Sequence, residues 1–150
     1  MMQADTPVVP VVVLGSWSEL GAVALPLRIE VFVHEQGVPE ALEQDDADAN
    51  ATHAVILHNS DAVGTGRWVL VGPSTAKIGR LAVRRSHRGQ GVGRRILTSL
   101  VQDAIKHGIN KLCLHAQCDA IEFYEREGFF VVGDPFLEAG IEHVLMTRQL

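Results

Sequence analysis

Hydrophobic and polar positions change period several times along this chain. Residues 8–14 are mostly β-branched and read as a strand. Ser16 or Ser18 is placed to cap a helix that begins near Glu19 and continues to about Val33, and Pro26 predicts a break or a new first turn within it. Residues 52–57, 62–71 and 77–83 read as three further strands. Asn59-Ser60-Asp61 and Gly72-Pro73 are turn signals between them, so an antiparallel meander is expected. The period then becomes helical: Val92, Ile96, Leu97, Leu100, Val101, Ala104 and Ile105 form one apolar stripe, with Arg94, Arg95, Gln102, Asp103 and Lys106 outside it. His107-Gly108 supplies a cation and then a glycine able to close that helix. Residues 111–116 alternate as a strand, 120–127 form a short helix stopped by Gly128, and 129–132 and 143–148 are the last strands. The strand–helix–strand unit from Lys77 through Ala116 predicts two parallel neighbours in the sheet. The pattern is that of an α+β (mixed α/β) domain.

Composition narrows the class. A chain of 150 residues suits one domain, expected to occupy 1–150. With 47% hydrophobic and 21% charged residues, disordered, collagen-like and coiled-coil readings are excluded. Thirteen Lys and Arg against 18 Asp and Glu give a net charge of -5, the wrong sign for a general nucleic-acid binder, so no nucleic-acid partner is expected. The only clear charge run, Glu43 to Asp48, is either a solvated loop or a wall that attracts a cationic substrate. Cys113 and Cys118 flank His115 with no second pair of ligands, whereas a zinc site needs about four, so no metal is expected. Met1 to Asp5 lacks a basic leader, and the uncharged stretch 6–18 is broken by two prolines and a glycine. A cytoplasmic protein with no membrane partner is therefore expected.

The most informative segment is 78–95, in which a strand runs into Arg88-Gly89-Gln90-Gly91-Val92-Gly93 and that loop opens the long helix. Glycines at 89, 91 and 93 let a ligand approach the backbone, while the helix start offers unpaired N–H groups and partial positive charge. Such a place suits a phosphate or pyrophosphate, and Arg88, Arg94 and Arg95 add charge to it. A P-loop is excluded because no Gly-Lys-Ser/Thr follows. A Rossmann loop is excluded because Arg94 stands where its third glycine belongs and because the loop comes late, after a meander.

The pattern that remains, Arg88-x-x-Gly91-x-Gly93, resembles the acyl-coenzyme A binding motif of the GNAT superfamily of N-acetyltransferases. Leu81-Ala82-Val83 followed by Arg84 looks like that family's central strand, and Phe123-Tyr124 with Gly128-Phe129 is similar to its later signature. A narrower resemblance, to the ElaA-like/YjcF-like branch, rests on several further segments. They are Arg28-x-x-Val31-Phe32-Val33-x-Glu35-Gln36, Asp45 to Asp48 before His53, Thr65-Gly66-Arg67, Ile78-Gly79-Arg80, Ala116-Gln117 and Gly140-Ile141-Glu142-His143.

The resemblance implies a twisted, mostly antiparallel sheet flanked by helices, and direct acetyl transfer from acetyl-CoA to a primary amine in a ternary complex. It implies that backbone N–H groups from Arg88, Gly89, Gln90, Gly91, Val92 and Gly93, with Arg94 beside them, hold the pyrophosphate. Leu81, Ala82 and Val83 would pair with pantetheine like an added strand, and an N–H near Leu81 or Ala82 would polarise the thioester carbonyl. One such donor contributes roughly 3 kcal/mol. Tyr124, the single tyrosine, would protonate the departing thiolate, with Phe123 as core packing. Glu35 is the first candidate for the base that deprotonates the amine, with His53 and His143 behind it. Arg28 and Arg80 could bind a substrate carboxylate, Arg28 could equally pair with a neighbouring acid such as Glu35, and His143 could contact the acceptor. His34, His58, His87, His107 and His115 look like surface or structural residues. Family members often dimerise, and residues 134–150 suit either a homodimer contact or one wall of the acceptor site. The expected acceptor is a small-molecule or peptide amine. Two rival readings share the same loop: an acyl-CoA-binding sensor without turnover, and an acyltransferase that uses a longer chain.

Overall fold

The structure, a computed structural model, describes residues 11–150. Part of the first predicted strand, Val8 to Pro10, lies outside the described residues. Seven strands form one sheet: β1 (Val12–Gly15), β2 (Thr52–His58), β3 (Asp61–Leu70), β4 (Thr75–Val83), β5 (Lys111–Gln117), β6 (Phe130–Glu138) and β7 (Ile141–Gln149). Their spatial order is β1-β2-β3-β4-β5-β7-β6, and every neighbouring pair is antiparallel except β4–β5. The parallel pair is the predicted one, because the crossover through helix α3 (Val92–Lys106) returns the chain in the same direction.

Helix α3 packs on one face of the sheet with most of the stripe its spacing predicts: Ile96, Leu97, Leu100 and Ala104 are essentially inaccessible to water, whereas Ile105 turns outward and is half exposed. Each large member of that stripe contributes about 1.5–3 kcal/mol by burial. The helix lies close because β3 presents bare backbone to it: a Cβ on Gly64 would meet Val92 Cγ1 at 2.5 Å, and one on Gly66 would meet Ile96 Cγ2 at 2.9 Å. The other face is covered by helix α1 (Trp17–Arg28), whose Leu20, Ala24 and Leu27 pack on Val55, Ala62 and Ala82.

Ser16 is the cap of α1: its side chain accepts from the Glu19 N–H, and Glu19 Oε1 accepts from the Ser16 N–H at 2.9 Å. The expected break at Pro26 does not occur. Proline removes one donor from the helix, yet α1 runs through it to Arg28 and continues as a wider π-helical segment, Ile29–Glu35. A short helix α2 (Glu40–Glu43) and a 3₁₀ turn (Asp46–Asn50) follow, where the charge run had read as a loop or a wall. The predicted short helix after β5 is α4 (Ile121–Arg126).

Two irregularities shape the region between β4 and β5. Their pairing stops at Ile78 opposite Leu114, and beyond that point the two strands part. On its other side β4 carries a bulge: Thr65 faces Ala82 and Arg67 faces Gly79, so Arg80 and Leu81 together oppose Gly66. Arg80 adopts φ +52°, an uncommon conformation for a residue with a side chain. The hairpin of β6 and β7 is longer than the sequence pattern indicates. Gly133-Asp134-Pro135 reads as a strand end but is a bulge, because Val132 faces Leu145 and Phe136 faces His143, and the strand resumes to Glu138.

Candidate active site

The parting of β4 and β5 opens a cleft of about 750 Å³. Leu81, Ala82 and Val83 line it from β4, Gln117 from β5, and Phe123 and Tyr124 from α4. Strand alternation sets its chemistry: Ile78, Leu114 and Ala116 turn into the core under α3, so Lys77, Gly79, His115 and Gln117 belong to the opposite face and line the cleft. Gln117 exchanges amide hydrogen bonds with Gln36, which follows the π-helical segment, at 2.8 and 3.4 Å.

At the end of β4 the chain enters the glycine turn. Gly89 and Gly91 have φ of +74° and +81°, and a Cβ built on either would meet nothing within 4 Å. The turn therefore needs glycine for its backbone conformation and leaves open space above it. The first backbone bond of α3 runs from the Arg95 N–H to Gly91 O at 3.1 Å, so the N–H groups of Val92, Gly93 and Arg94 precede it. Arg88 donates through Nε to Val83 O and through Nη2 to Glu35 Oε1, both at 2.9 Å. Arg94 is drawn to Glu127 at 3.0 Å. Exposed donors, an open turn and a helix start fit a pyrophosphate. Glu35, the first candidate for the base, is held by Arg88, with Arg85 at 3.8 Å, and is not among the residues lining the cleft.

Tyr124 is almost fully buried, packed edge-on between Phe123 and Phe129. Burial pushes its phenol up to about 12, so it keeps its proton at neutral pH. Among the described residues no group makes a hydrogen bond to its hydroxyl, and the side chain lines the cleft.

The charge run turns inward. Arg28, buried in α1, pairs with Glu43, donates to Asp48 Oδ1 at 2.8 Å and to Glu43 O at 2.7 Å, and lies 5.1 Å from the Trp17 ring centre. Arg67 from β3 bridges Asp48 Oδ1 at 2.7 Å and Asp45 at 2.6 and 2.8 Å. Arg80, on the bulge, donates to Leu42 O, Glu43 O and Asp45 Oδ2 at 3.2–3.3 Å. Three guanidinium groups thus meet three carboxylates, and the cluster is neutral. The hydrogen bond from Arg67 holds the Asp45 carboxyl at about 2, well below its ordinary value. Burial opposes ionisation of Asp48, but Arg28 and Arg67 outweigh it and hold that carboxyl low as well.

These contacts correct three expectations. Arg28 is not placed to bind substrate, because it is buried and its guanidinium is occupied. His53 is not placed as a base: it is buried against Trp17, its Nε2 lies 2.9 Å from Asp48 O, and it does not line the cleft. Burial lowers its imidazole from the ordinary value, keeping it neutral at neutral pH. Glu43 to Asp48 is not an electrostatic wall for a cation, because Glu43, Asp45 and Asp48 are already neutralised internally. Arg80 does line the cleft, with its donors directed at the α2 segment.

The hairpin of β6 and β7 forms a further wall of the cleft. His143 lines the cleft; its Nδ1 lies 2.7 Å from Ile141 O and its Nε2 3.7 Å from Glu138 Oε2. His115, expected at the surface or in a structural role, also lines the cleft, with Nδ1 2.9 Å from Glu138 Oε1. The alternation of Leu112, Leu114 and Ala116 was the signal that could have placed it there. Glu138 had no such signal, because it follows the Gly-Asp-Pro bulge.

Among the described residues, no group of three or more His, Cys, Asp or Glu is arranged to hold a metal ion, and no helix is long and apolar enough to cross a membrane.

A parted parallel strand pair, opening beside a glycine turn at a helix start, defines the class of acyl-CoA N-acyltransferases. Known proteins carry this further. The family described as acetyltransferase (GNAT) domain matches residues 16–150. The uncharacterized N-acetyltransferase YjcF of Bacillus subtilis is 37% identical over 126 residues, 83% of this chain and 89% of its own. The crystal structure of Escherichia coli ElaA aligns with a TM-score of 0.85 at 27% identity, over 94% of this chain and 100% of that one. A GNAT family acetyltransferase from Elizabethkingia anophelis, solved with acetyl-CoA bound, shares the fold at a TM-score of 0.68 and 17% identity, over 93% and 98% of the two chains. The chain belongs to the GNAT acetyltransferase family, in its ElaA/YjcF-like branch, and is an acetyl-CoA-dependent N-acetyltransferase.

Proposed function

We propose that the protein binds acetyl-CoA between β4 and β5 and passes the acetyl group directly, in a ternary complex, to a primary amine of a small molecule or peptide. The observation that carries this reading is the parting of the two strands beyond Ile78 and Leu114, at the end of β4 that leads into the open turn. In this reading the N–H groups from Gly89 to Gly93, with Arg88, receive the pyrophosphate, and Glu35 positions Arg88. Leu81 to Val83 present a strand edge unpaired on the β5 side, to which pantetheine amides can add as a strand would. An N–H at Leu81 or Ala82, beside the bulge, donates to the thioester oxygen.

The amine nitrogen attacks the carbonyl carbon; the C–N bond forms and the C–S bond breaks. Tyr124, protonated and without a partner, donates to the departing sulfur. The acceptor ammonium sheds two protons: one restores Tyr124 and the other leaves to solvent. His143 contacts the acceptor. The fold neighbour solved with acetyl-CoA supports this choice of donor.

Titration calorimetry of the protein with acetyl-CoA tests the reading, beside an Arg88→Ala/Gly91→Glu double variant. Saturable binding to the wild type that is lost in the variant is expected, because the variant removes a donor and places a carboxylate at the helix start. Equal affinity in the two proteins would remove the pyrophosphate site from this loop.

A further inference from the structure

The α-carbons of Gly79 and His115 are the first past the last pair of β4 and β5, so His115 stands where the strands begin to part. Its ring is held on two sides. Nδ1 lies 2.9 Å from Glu138 Oε1, and because a carboxylate only accepts, that nitrogen carries the hydrogen. Phe136 packs edge-on against the ring at 5.0 Å and 78°. In the neutral ring that leaves the lone pair on Nε2, and among the described residues Nε2 has no hydrogen-bond partner. A carboxylate orienting an imidazole that lines a substrate cleft is the arrangement of a general base and its orienting group.

No other candidate is a cleft-lining imidazole oriented by a hydrogen bond to a carboxylate. His53 is buried off the cleft, and Glu35 is held by Arg88. His143 gives its Nδ1 hydrogen to Ile141 O, and its Nε2 turns toward Glu138 at 3.7 Å. Three titratable residues stand around the pair: Lys77 from β4, Cys113 two residues earlier on β5, and His143 from β7. Asp45, across the cleft, is already paired with Arg67. Burial opposes the charge on Glu138, but the His115 hydrogen bond and the nearby Lys77 ammonium favour it, and the carboxyl is held below its ordinary value, able to orient the ring.

We propose that His115 is the general base of the transfer, taking the first proton from the acceptor's ammonium through Nε2, and that Glu138 is its positioning residue. The inference rests on the acetyltransferase reading of the same cleft. After the proton moves, the neutral amine attacks the acetyl carbonyl carbon and the imidazolium releases the proton to solvent.

The test measures thiol release from acetyl-CoA with two probe amines, after subtraction of the uncatalysed rate. Methylamine is an ammonium ion at neutral pH and needs a base; hydroxylamine is already neutral there and does not. His115→Gln is expected to lower kcat with methylamine about 100-fold or more, with hydroxylamine near the wild-type rate. Glu138→Gln keeps a hydrogen-bond acceptor and removes the charge; it should lower the methylamine rate and move the acid limb of its pH profile. Acetyl-CoA affinity, read by calorimetry, should be unchanged in both variants. A nitrogen-15 spectrum of the histidines supplies a readout that needs no turnover: His115 should carry hydrogen on Nδ1 in the wild type and lose that preference in Glu138→Gln. Where the wild type turns over neither probe, this spectrum decides alone. Equal loss with both amines, unchanged methylamine turnover, or hydrogen on Nε2 would each overturn the proposal while leaving the cofactor site standing. Failure of the wild type to bind acetyl-CoA would instead overturn the reading on which it rests.

Discussion

Tyr124 shows how surroundings set the chemistry of one side chain. Two aromatic rings enclose it and nothing accepts from its hydroxyl, so the phenol is a neutral donor with an unused hydrogen. Replacing it with phenylalanine removes one oxygen from a packed site and should leave folding and acetyl-CoA affinity intact. We expect Tyr124→Phe to reduce kcat by roughly 100-fold, within the range of a lost general acid, with KM for acetyl-CoA nearly constant; steady-state thiol release is the measurement. An unchanged kcat would mean that the sulfur leaves without this proton. Arg28 shows the reverse. Its sequence neighbourhood offers it a substrate carboxylate or a nearby acid as partner, yet it is sealed beneath Trp17 against Glu43 and Asp48, 15 and 20 residues further on. Local pattern indicates which residues carry charge; it does not reveal which distant carboxylate neutralises them.

Elements with a strong period were legible. The α3 stripe, the meander of β2 to β4 and the parallel return to β5 follow from apolar spacing and turn residues alone. The glycine turn before α3 was legible for a similar reason, because glycine at alternate positions has a strong backbone meaning. What was hidden depends on partners far along the chain. The segment from α2 through the 3₁₀ turn has no apolar period and owes its shape to Arg28, Arg67 and Arg80. The end of β6 was concealed by Gly133-Asp134-Pro135, which resembles a turn and acts as a bulge, and Glu138 was concealed with it. The closeness of α3 to β3 was likewise invisible, although it permits a direct test. At Gly64 a side chain would drive into Val92 at the start of α3. Gly64→Val should therefore cost about 1–3 kcal/mol by overpacking, read as a lower midpoint in urea denaturation. An unaltered midpoint would show that α3 can move away from the sheet without loss.

For the whole molecule, the buried charges fix how stability follows pH. His53 has its imidazole lowered from 6.5, so below that value the unfolded chain binds a proton that the folded one resists, and stability begins to fall. Asp45 is lowered from 3.8 to about 2, so its contribution is fully present above its unfolded value and is lost as pH drops through that window; Asp48 acts in the same direction. Thermal melts should therefore show a shallow decline just below pH 6.5 and a steep one below about pH 4. A melting temperature flat down to pH 3 would mean that Arg67 and its carboxylates do not hold the fold together. The fork between β4 and β5 has a consequence of another kind. A sheet ordinarily has two rims, but here Leu81 to Val83 form a third one inside the molecule, whose amides face a gap instead of a neighbour. In the proposed reading, the extended acyl donor completes the sheet by filling that gap. Ligand supply and mechanical integrity are thus tied by mass action: each tenfold rise in free ligand above its dissociation constant adds about 1.4 kcal/mol to the folded state. A cell rich in the acyl donor would hold a sturdier enzyme than a starved one.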